Sequence, residues 1–196
     1  ETKHQGSHFN INGDIGLSAN NDVTLANTDL LATGKTAIHA DNHVNLTTVT
    51  DSRDYQNYHH ESFRKGHYTS KVNSSEEKEK GSTISGQNGV SITSGNTITA
   101  TAANITSQDN QVLLHAKQDI TLDAGREHTS YDLEASSSKR STLSKKSSYR
   151  HDHVESDTGI ATAISGQSVL MAAGNDINIT GSSVVADNDI NLLATR

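Results

Sequence analysis

The chain has 196 residues, a formal net charge of −7 at neutral pH and a hydrophobic fraction of 31%, below the ~45–50% usual for globular domains. It contains no cysteine, which excludes disulfides, thiolate catalysis and cysteine-based zinc sites. Its apolar runs are far shorter than the ~18–20 residues of a transmembrane helix, and residues 1–20 lack the apolar core of a signal peptide. We therefore expect a thin core, and either a cytosolic protein or an internal piece of a longer one.

The first segment, residues 9–49, alternates apolar residues with turns rich in Asn, Asp and Gly, a pattern typical of short strands. Its apolar positions are Ile15, Leu17, Val23, Leu25, Leu30, Leu31, Ile38, Val44 and Leu46. The same pattern returns in residues 82–125 and again in residues 159–196, at offsets of 75 to 76 and then 78 to 79 residues. Offsets this steady indicate an internal repeat.

The spacing of the strands within each copy predicts a solenoid. Strand starts lie six to eight residues apart, so that three strands make a coil of about 22 residues in which each strand pairs with its counterpart in the next coil. An antiparallel sandwich is the alternative, but regular spacing with turns of one chemical type favours a parallel β-helix. The predicted fold class is all-β.

Two polar inserts, residues 50–81 and 126–158, separate the three apolar segments. Each insert carries six Lys or Arg and six Asp or Glu, so each is formally neutral. Phosphate binding needs a surplus of positive charge. The charge balance therefore argues against nucleic acid as a partner.

The inserts are either disordered loops or long β-hairpins. A turn around Arg64-Lys65-Gly66-His67 would place Phe63 opposite Tyr68, an aromatic pair beside a glycine turn that suits a hairpin. A turn near Lys139-Arg140 would place His128 opposite His151 in the second insert. Because the inserts recur about every two coils, such hairpins would stack on one side into a continuous antiparallel sheet.

The segment "GVSITSGNTITATAANITSQDNQVLLHAKQDITLDAGREHTSY", its Ser/Lys-rich insert and the segment "TGIATAISGQSVLMAAGNDINITGSSVVADNDINLLA" are similar to a known repeat. They resemble the second class of haemagglutinin repeat in filamentous haemagglutinin-like exoproteins of two-partner secretion, including contact-dependent growth inhibition proteins. The resemblance covers the whole chain and implies a right-handed parallel β-helix. It also implies export through a dedicated outer-membrane transporter and residence at the bacterial surface. We accordingly predict that residues 1–196 are a single repeat domain and an internal fragment.

Candidate functional residues are concentrated in the inserts. No catalytic constellation, cofactor-binding motif or small-molecule site is predicted, so we do not expect an enzyme. A contact surface for protein, glycan or membrane is predicted at Tyr55, Tyr58, His59, Phe63, Tyr68, Tyr131 and Tyr149, with packing between hairpins as the alternative. His128, His151 and His153 could bind zinc or nickel, the alternative being a solvated polar face.

His39 and His115 occupy equivalent places in the first two copies, where the third has Leu193, so we predict wall or turn residues there. Two functions remain open. The segment takes part in delivering a C-terminal toxin across the target cell's outer membrane, as the resemblance to growth inhibition proteins implies, or it is an adhesive module that binds a surface receptor of a host or bacterial cell through its inserts.

Overall fold

The computed structural model describes residues 1–195, which form β-strands and turns without any helix. Seventeen short strands belong to a solenoid: β1 Ser7–Ile11, β2 Ile15–Ala19, β3 Val23–Ala26, β4 Thr28–Ala32, β5 Thr36–Ala40, β6 Val44–Thr47, β9 Thr83–Gly86, β10 Val90–Ser94, β11 Ile98–Thr101, β12 Asn104–Ser107, β13 Gln111–Ala116, β14 Ile120–Asp123, β17 Ala163–Gly166, β18 Ser168–Ala173, β19 Ile177–Ile179, β20 Ser183–Ala186 and β21 Ile190–Ala194. Four long strands form hairpins: β7 Val49–Phe63, β8 Gly66–Lys80, β15 Gly125–Arg140 and β16 Lys145–Ile160. Nothing within residues 1–195 is a helix of the length and apolarity that would let it span a bilayer.

The solenoid strands form three parallel sheets, with the orders β1-β4-β9-β12-β17-β20, β2-β5-β10-β13-β18-β21 and β3-β6-β11-β14-β19. Each of the first five coils contributes one strand to each sheet, the last coil contributes β20 and β21, and a hairpin follows the second and the fourth coil. In the second sheet Ile15, Thr36, Val90, Val112, Val169 and Ile190 stand in register. The predicted parallel β-helix and its two-coil repeat are therefore confirmed.

Side chains alternate between the interior and the outer wall of the solenoid. In β5, Thr36, Ile38 and Ala40 are buried while Ala37 and His39 are exposed, as the period of two requires. The largest fully buried side chains are Leu30, Ile38, Leu46, Ile84, Ile92, Ile98, Ile105, Leu114, Ile120, Leu122, Ile164 and Met171. Stacked aliphatic side chains such as Val112, Leu114 and Ala116 of β13 fill a narrow interior, which explains the low hydrophobic fraction.

Not every apolar position predicted from the sequence points inward. Leu30 is 1% exposed and its neighbour Leu31 is 37% exposed, because adjacent residues of a strand face opposite sides. Ile190 and Leu192 in the last coil are also exposed, since that coil packs against a neighbour on one side only.

One corner of the solenoid uses the left-handed backbone conformation in all three copies. Asn27, Ala102 and Gly181 have φ angles of 46°, 50° and 56°, and their spacing matches the offsets between copies. Asn and Gly adopt this conformation readily, whereas Ala does so at a cost. The corner geometry is thus kept even where the residue is unfavourable.

Buried hydroxyl groups lie where the chain returns from each hairpin. Ser82 Oγ accepts a hydrogen bond from Thr28 N at 3.0 Å and lies 3.3 Å from the carbonyl oxygen of Leu25. Thr162 Oγ1 accepts one from Ala103 N at 3.1 Å and donates to the carbonyl oxygen of Asp123 at 2.7 Å. These hydroxyls satisfy backbone groups that no strand pairing reaches, as buried polar groups require.

The structure divides into two compact units, which correspond to the apolar segments and to the inserts of the predicted repeat domain. The solenoid unit comprises residues 4–50, 79–125 and 159–195, and the hairpin unit comprises residues 1–3, 51–78 and 126–158.

The hairpin unit is a four-stranded sheet of order β16-β15-β8-β7. Strands β8 and β15 pair antiparallel over thirteen residue pairs, from Glu127 opposite Lys78 to Lys139 opposite Gly66. Residues 1–3 add a short antiparallel bridge, in which Thr2 and Ser52 exchange backbone hydrogen bonds of 2.7 and 3.0 Å. The inserts are therefore hairpins that join into one sheet, as predicted, and not disordered loops.

Both predicted hairpin registers are corrected by the turns. The first turn contains only Arg64 and Lys65, so that the ring of Phe63 lies against Gly66 instead of facing Tyr68. The second turn lies at residues 141–144. It therefore places His128 beside Asp157, with Nδ1 2.8 Å from Oδ1, and not opposite His151.

Candidate functional site: the two faces of the hairpin sheet

Strand alternation gives the hairpin sheet two chemically different faces. The register places Leu133 opposite Val72 and Ser137 opposite Tyr68, and the His59 ring lies 6.2 Å from that of Tyr68. One face, which we call the tyrosine face, therefore carries Tyr55, His59, Phe63, Tyr68, Val72, Tyr131, Leu133 and Val154. The opposite face, which we call the histidine face, carries Tyr58, His60, His67, Lys71, Asn73, His128, Asp132, Glu134, Tyr149, His151, His153, Glu155 and Asp157.

The seven residues of the predicted contact surface are thus divided between two faces. Five lie on the tyrosine face, where Tyr55 is 52% exposed and Tyr131 is 40% exposed. Side chains of this kind present apolar rings with a polar tip to solvent, as interface aromatics do. Whether they bind a partner stays a prediction.

Tyr58 and Tyr149 lie on the histidine face, each 68% exposed. They border a shallow groove that is also lined by Lys71 and Glu134. Thr69 and Ser136 form a hydroxyl–hydroxyl hydrogen bond of 2.5 Å within the same groove. The two tyrosines are therefore part of a polar surface, separate from the aromatic row on the other face.

Ion pairs on the tyrosine face lie both between strands and within one strand. Lys78 Nζ lies 2.8 Å from Glu127 Oε2, which links the two hairpins, and the Glu127 carboxylate raises the pKa of Lys78. Arg150 and Asp152, on one strand, form a pair that raises the pKa of the guanidinium. Opposite charges therefore lie side by side on this face, both between the two inserts and within one of them.

The histidines predicted as metal ligands are separated by the corrected register. His128 lies with Glu155 and Asp157 in one cluster, whereas His151 lies with Asp132 and Glu134 in another. His153 lies between the two clusters, with Nδ1 3.8 Å from Asp132 Oδ2 and Nε2 3.9 Å from Glu155 Oε2. The three histidines thus lie in two adjoining clusters, and metal binding by them stays a prediction.

Arg126 closes the first cluster. Its Nη2 lies 2.6 Å from Asp157 Oδ1 and 3.2 Å from His128 Nδ1. Hydrogen bonds from His128 and Arg126 hold the pKa of Asp157 below its ordinary value. A guanidinium thus supplies the positive charge in this cluster.

Sequence reasoning missed Asp132 and Glu134 as partners of the histidines. They lie at i and i+2 on β15 and face His151 and His153, also at i and i+2, on β16. A turn placed at residues 141–144 rather than at Lys139-Arg140 would have revealed this arrangement. His39 and His115 lie on the outer wall of the solenoid, as predicted, and His39 Nδ1 is 2.8 Å from Thr93 Oγ1.

The fold and the paired inserts define a parallel β-solenoid repeat with hairpin insertions. The chain belongs to the Hemagglutinin repeat family, which it matches over residues 1–67 and 62–196. The protein named tRNA nuclease CdiA of Escherichia coli (strain STEC_O31) is 30% identical over 96 residues. That alignment covers 49% of this chain and only 3% of the relative. No solved structure matches the chain.

These matches support a repeat segment of a large secreted two-partner protein at the bacterial surface. The family is a structural, adhesin-like repeat and not an enzyme. The nuclease activity is part of the relative's name and concerns that protein.

Proposed function

We propose that this chain is a structural segment of a contact-dependent growth inhibition exoprotein that takes part in carrying a C-terminal toxin across the outer membrane of a target cell. The similarity to a CdiA protein supports the proposal. The observation that carries it is the four-stranded hairpin sheet with an exposed row of aromatic residues on one face.

The physical reason lies in the chemistry of the tyrosine face. Tyr55, Phe63, Tyr68 and Tyr131 are each at least about one-third exposed, and Val154 is 59% exposed. Tyrosine suits the boundary between apolar and aqueous phases, since its ring is apolar and its hydroxyl is hydrated. The partner is then the outer membrane of another cell. Export through a dedicated outer-membrane transporter is part of the same proposal.

A second function uses the same surface. An adhesive module would bind a host or bacterial receptor through the aromatic face, because interface cores are enriched in tyrosine. The two functions differ in the step that needs the aromatic residues, which is toxin entry for the delivery segment and attachment for the adhesive module.

The test is a triple substitution, Tyr55→Ser, Tyr68→Ser and Tyr131→Ser, in the exoprotein that carries this segment. The matched control is Tyr58→Ser with Tyr149→Ser on the histidine face. Secretion, attachment to target cells and entry of the toxin are measured separately. For the delivery function we expect normal secretion and attachment with toxin entry lost.

Loss of attachment in the triple variant would favour the adhesive module instead. Equal attachment together with equal toxin entry in the triple variant, the control and the unmodified protein would contradict both proposals, because the tyrosine face would then have no role in contact.

A further inference from the structure

The histidine face holds a second cluster of potential metal ligands. Among residues 1–195 these side chains form no ion pair with Lys or Arg. We propose that Asp132, Glu134, His151 and His153 form a binding site for a divalent zinc-like cation that joins β15 to β16. This inference is independent of the proposed function.

Strand geometry brings the four side chains together. Asp132 and Glu134 are two residues apart on β15 and so share a face, as His151 and His153 do on β16. Neighbouring antiparallel strands place facing Cβ atoms ~4.5–5.5 Å apart. The result is a two-by-two array of two imidazoles and two carboxylates.

The distances are close to those that a tetrahedral site requires. Asp132 Oδ2 lies 3.2 Å from His151 Nε2 and 3.8 Å from His153 Nδ1. One ligand atom from each of Asp132, Glu134 and His151 lies within 4.8 Å of the others. Zinc bonds of ~2.0–2.1 Å in a tetrahedron place ligand atoms roughly 3.3 Å apart. Small rotations of exposed side chains therefore close the site.

Charge favours a divalent cation. The two carboxylates of the site carry about two negative charges, which one divalent ion balances. A third carboxylate, Glu155, lies beside the site with Oε2 3.9 Å from His153 Nε2. The nearest cationic residue by register is Lys71, opposite Glu134. Among residues 1–195 Lys71 forms no ion pair, and Arg150 pairs with Asp152 on the other face.

A separate observation also points to a ligand here. Asn73 stands opposite Asp132 in the register between β8 and β15, and its side-chain oxygen is buried without a hydrogen-bond partner. Buried polar atoms are rarely left unpaired. A cation or its coordinated water beside Asp132 would give this oxygen an interaction.

The first cluster provides an internal comparison. His128, Glu155 and Asp157 have similar ligand chemistry, but Arg126 contacts two of them. The guanidinium would compete with a metal ion there. We therefore assign the cation to the second cluster alone.

Imidazole nitrogen with carboxylate oxygen favours zinc and its neighbours over magnesium and calcium, which prefer oxygen ligands. The metal would fasten β16, an edge strand of the sheet, to β15. Stability of the second hairpin would thus depend on the metal.

The experiment measures binding of Co²⁺ and Zn²⁺ to the purified 196-residue chain after treatment with a chelator. Co²⁺ should bind in a ratio of one per chain with the intense visible absorption of a tetrahedral complex, and Zn²⁺ should displace it. Asp132→Asn and His151→Gln should each weaken Zn²⁺ binding about 100-fold or more, since loss of even an outer-shell partner costs 10–100-fold. Circular dichroism checks that both variants keep their β signal.

His128→Gln is the matched control, and it should bind both ions as the unmodified chain does. The assignment would be overturned if the unmodified chain bound neither ion. It would also be overturned if binding survived in both Asp132→Asn and His151→Gln, or if binding were lost in His128→Gln. A weak octahedral Co²⁺ spectrum would overturn it also, as would loss of binding in His60→Gln on the other hairpin.

Discussion

Lys78 and Glu127 stand directly opposite each other on strands of two different hairpins, with Nζ 2.8 Å from Oε2, although 49 residues separate them in the sequence. Because Lys78 is 47% exposed, we expect a coupling free energy of only about 0.2–1 kcal/mol. A double-mutant cycle with Lys78→Gln and Glu127→Gln, followed by denaturant unfolding, measures it. The coupling should shrink at high salt. A cycle of Lys71→Gln with Glu127→Gln is the control, and equal coupling in both cycles would contradict the pairing.

Leu30 and Leu31 offer a test of the solenoid interior with identical chemistry at adjacent positions. Leu30→Ala should lower the free energy of unfolding by about 2–5 kcal/mol, because it leaves a cavity between coils. Leu31→Ala should change it by no more than about 0.5 kcal/mol, since Leu31 lies on the outer wall. Denaturant midpoints of the two variants decide the matter. Similar losses of unfolding free energy in the two variants would contradict the assignment of Leu30 to the interior and Leu31 to the outer wall.

The buried hydroxyl of Thr162 can be removed without changing the shape of its side chain. Thr162→Val should destabilise the solenoid by about 1–3 kcal/mol, because Ala103 N–H and the Asp123 carbonyl lose their buried partner. Thr162→Ser keeps the hydroxyl and should recover most of the loss. Thermal unfolding followed by circular dichroism compares the variants, and a Val variant as stable as the Ser variant would show that the hydroxyl contributes nothing.

The hairpin end near Asp157 should respond to acid. Hydrogen bonds from His128 and Arg126 lower the pKa of Asp157, so the ionised carboxylate stabilises the folded hairpin. That contribution is complete above the ordinary carboxyl pKa of about 4 and is lost as pH falls through the lowered pKa. NMR titration of the side-chain carboxyl carbon gives the value directly.

Substitution checks the cause of this shift. Arg126→Gln and His128→Gln should each raise the pKa of Asp157 toward its ordinary value. An unchanged pKa in both variants would show that neither side chain holds the carboxylate in its ionised form.

The solenoid could be predicted from the sequence because its signal is periodic. Inward residues such as Ile38 and Leu114 recur at every second position of the strands, and turns of one chemical type separate the strands. The corner at Ala102 has no such signal, since alanine does not favour a positive φ. The positive φ is imposed there by stacking on the equivalent corners of the other copies.

The candidate site was harder to predict, because register depends on turn length. The four-residue turn at 141–144 in place of one at Lys139-Arg140 changes every facing pair in the second hairpin. Composition identified His151 and His153 but could not place Asp132 opposite them. The division of the tyrosines between two faces has the same origin, since faces follow from strand parity once the strands are known.

The pairing of β8 with β15 has a consequence for the order of folding. Each hairpin closes over a turn of a few residues, an event of about 1–10 μs, whereas the Lys78–Glu127 pair must close a loop of 49 residues. Loop closure entropy delays such distant contacts. We therefore expect the two hairpins to form early and to pair with each other late. In pulse-labelled hydrogen exchange, the amides that hydrogen-bond between β8 and β15 would then gain protection later than those within each hairpin.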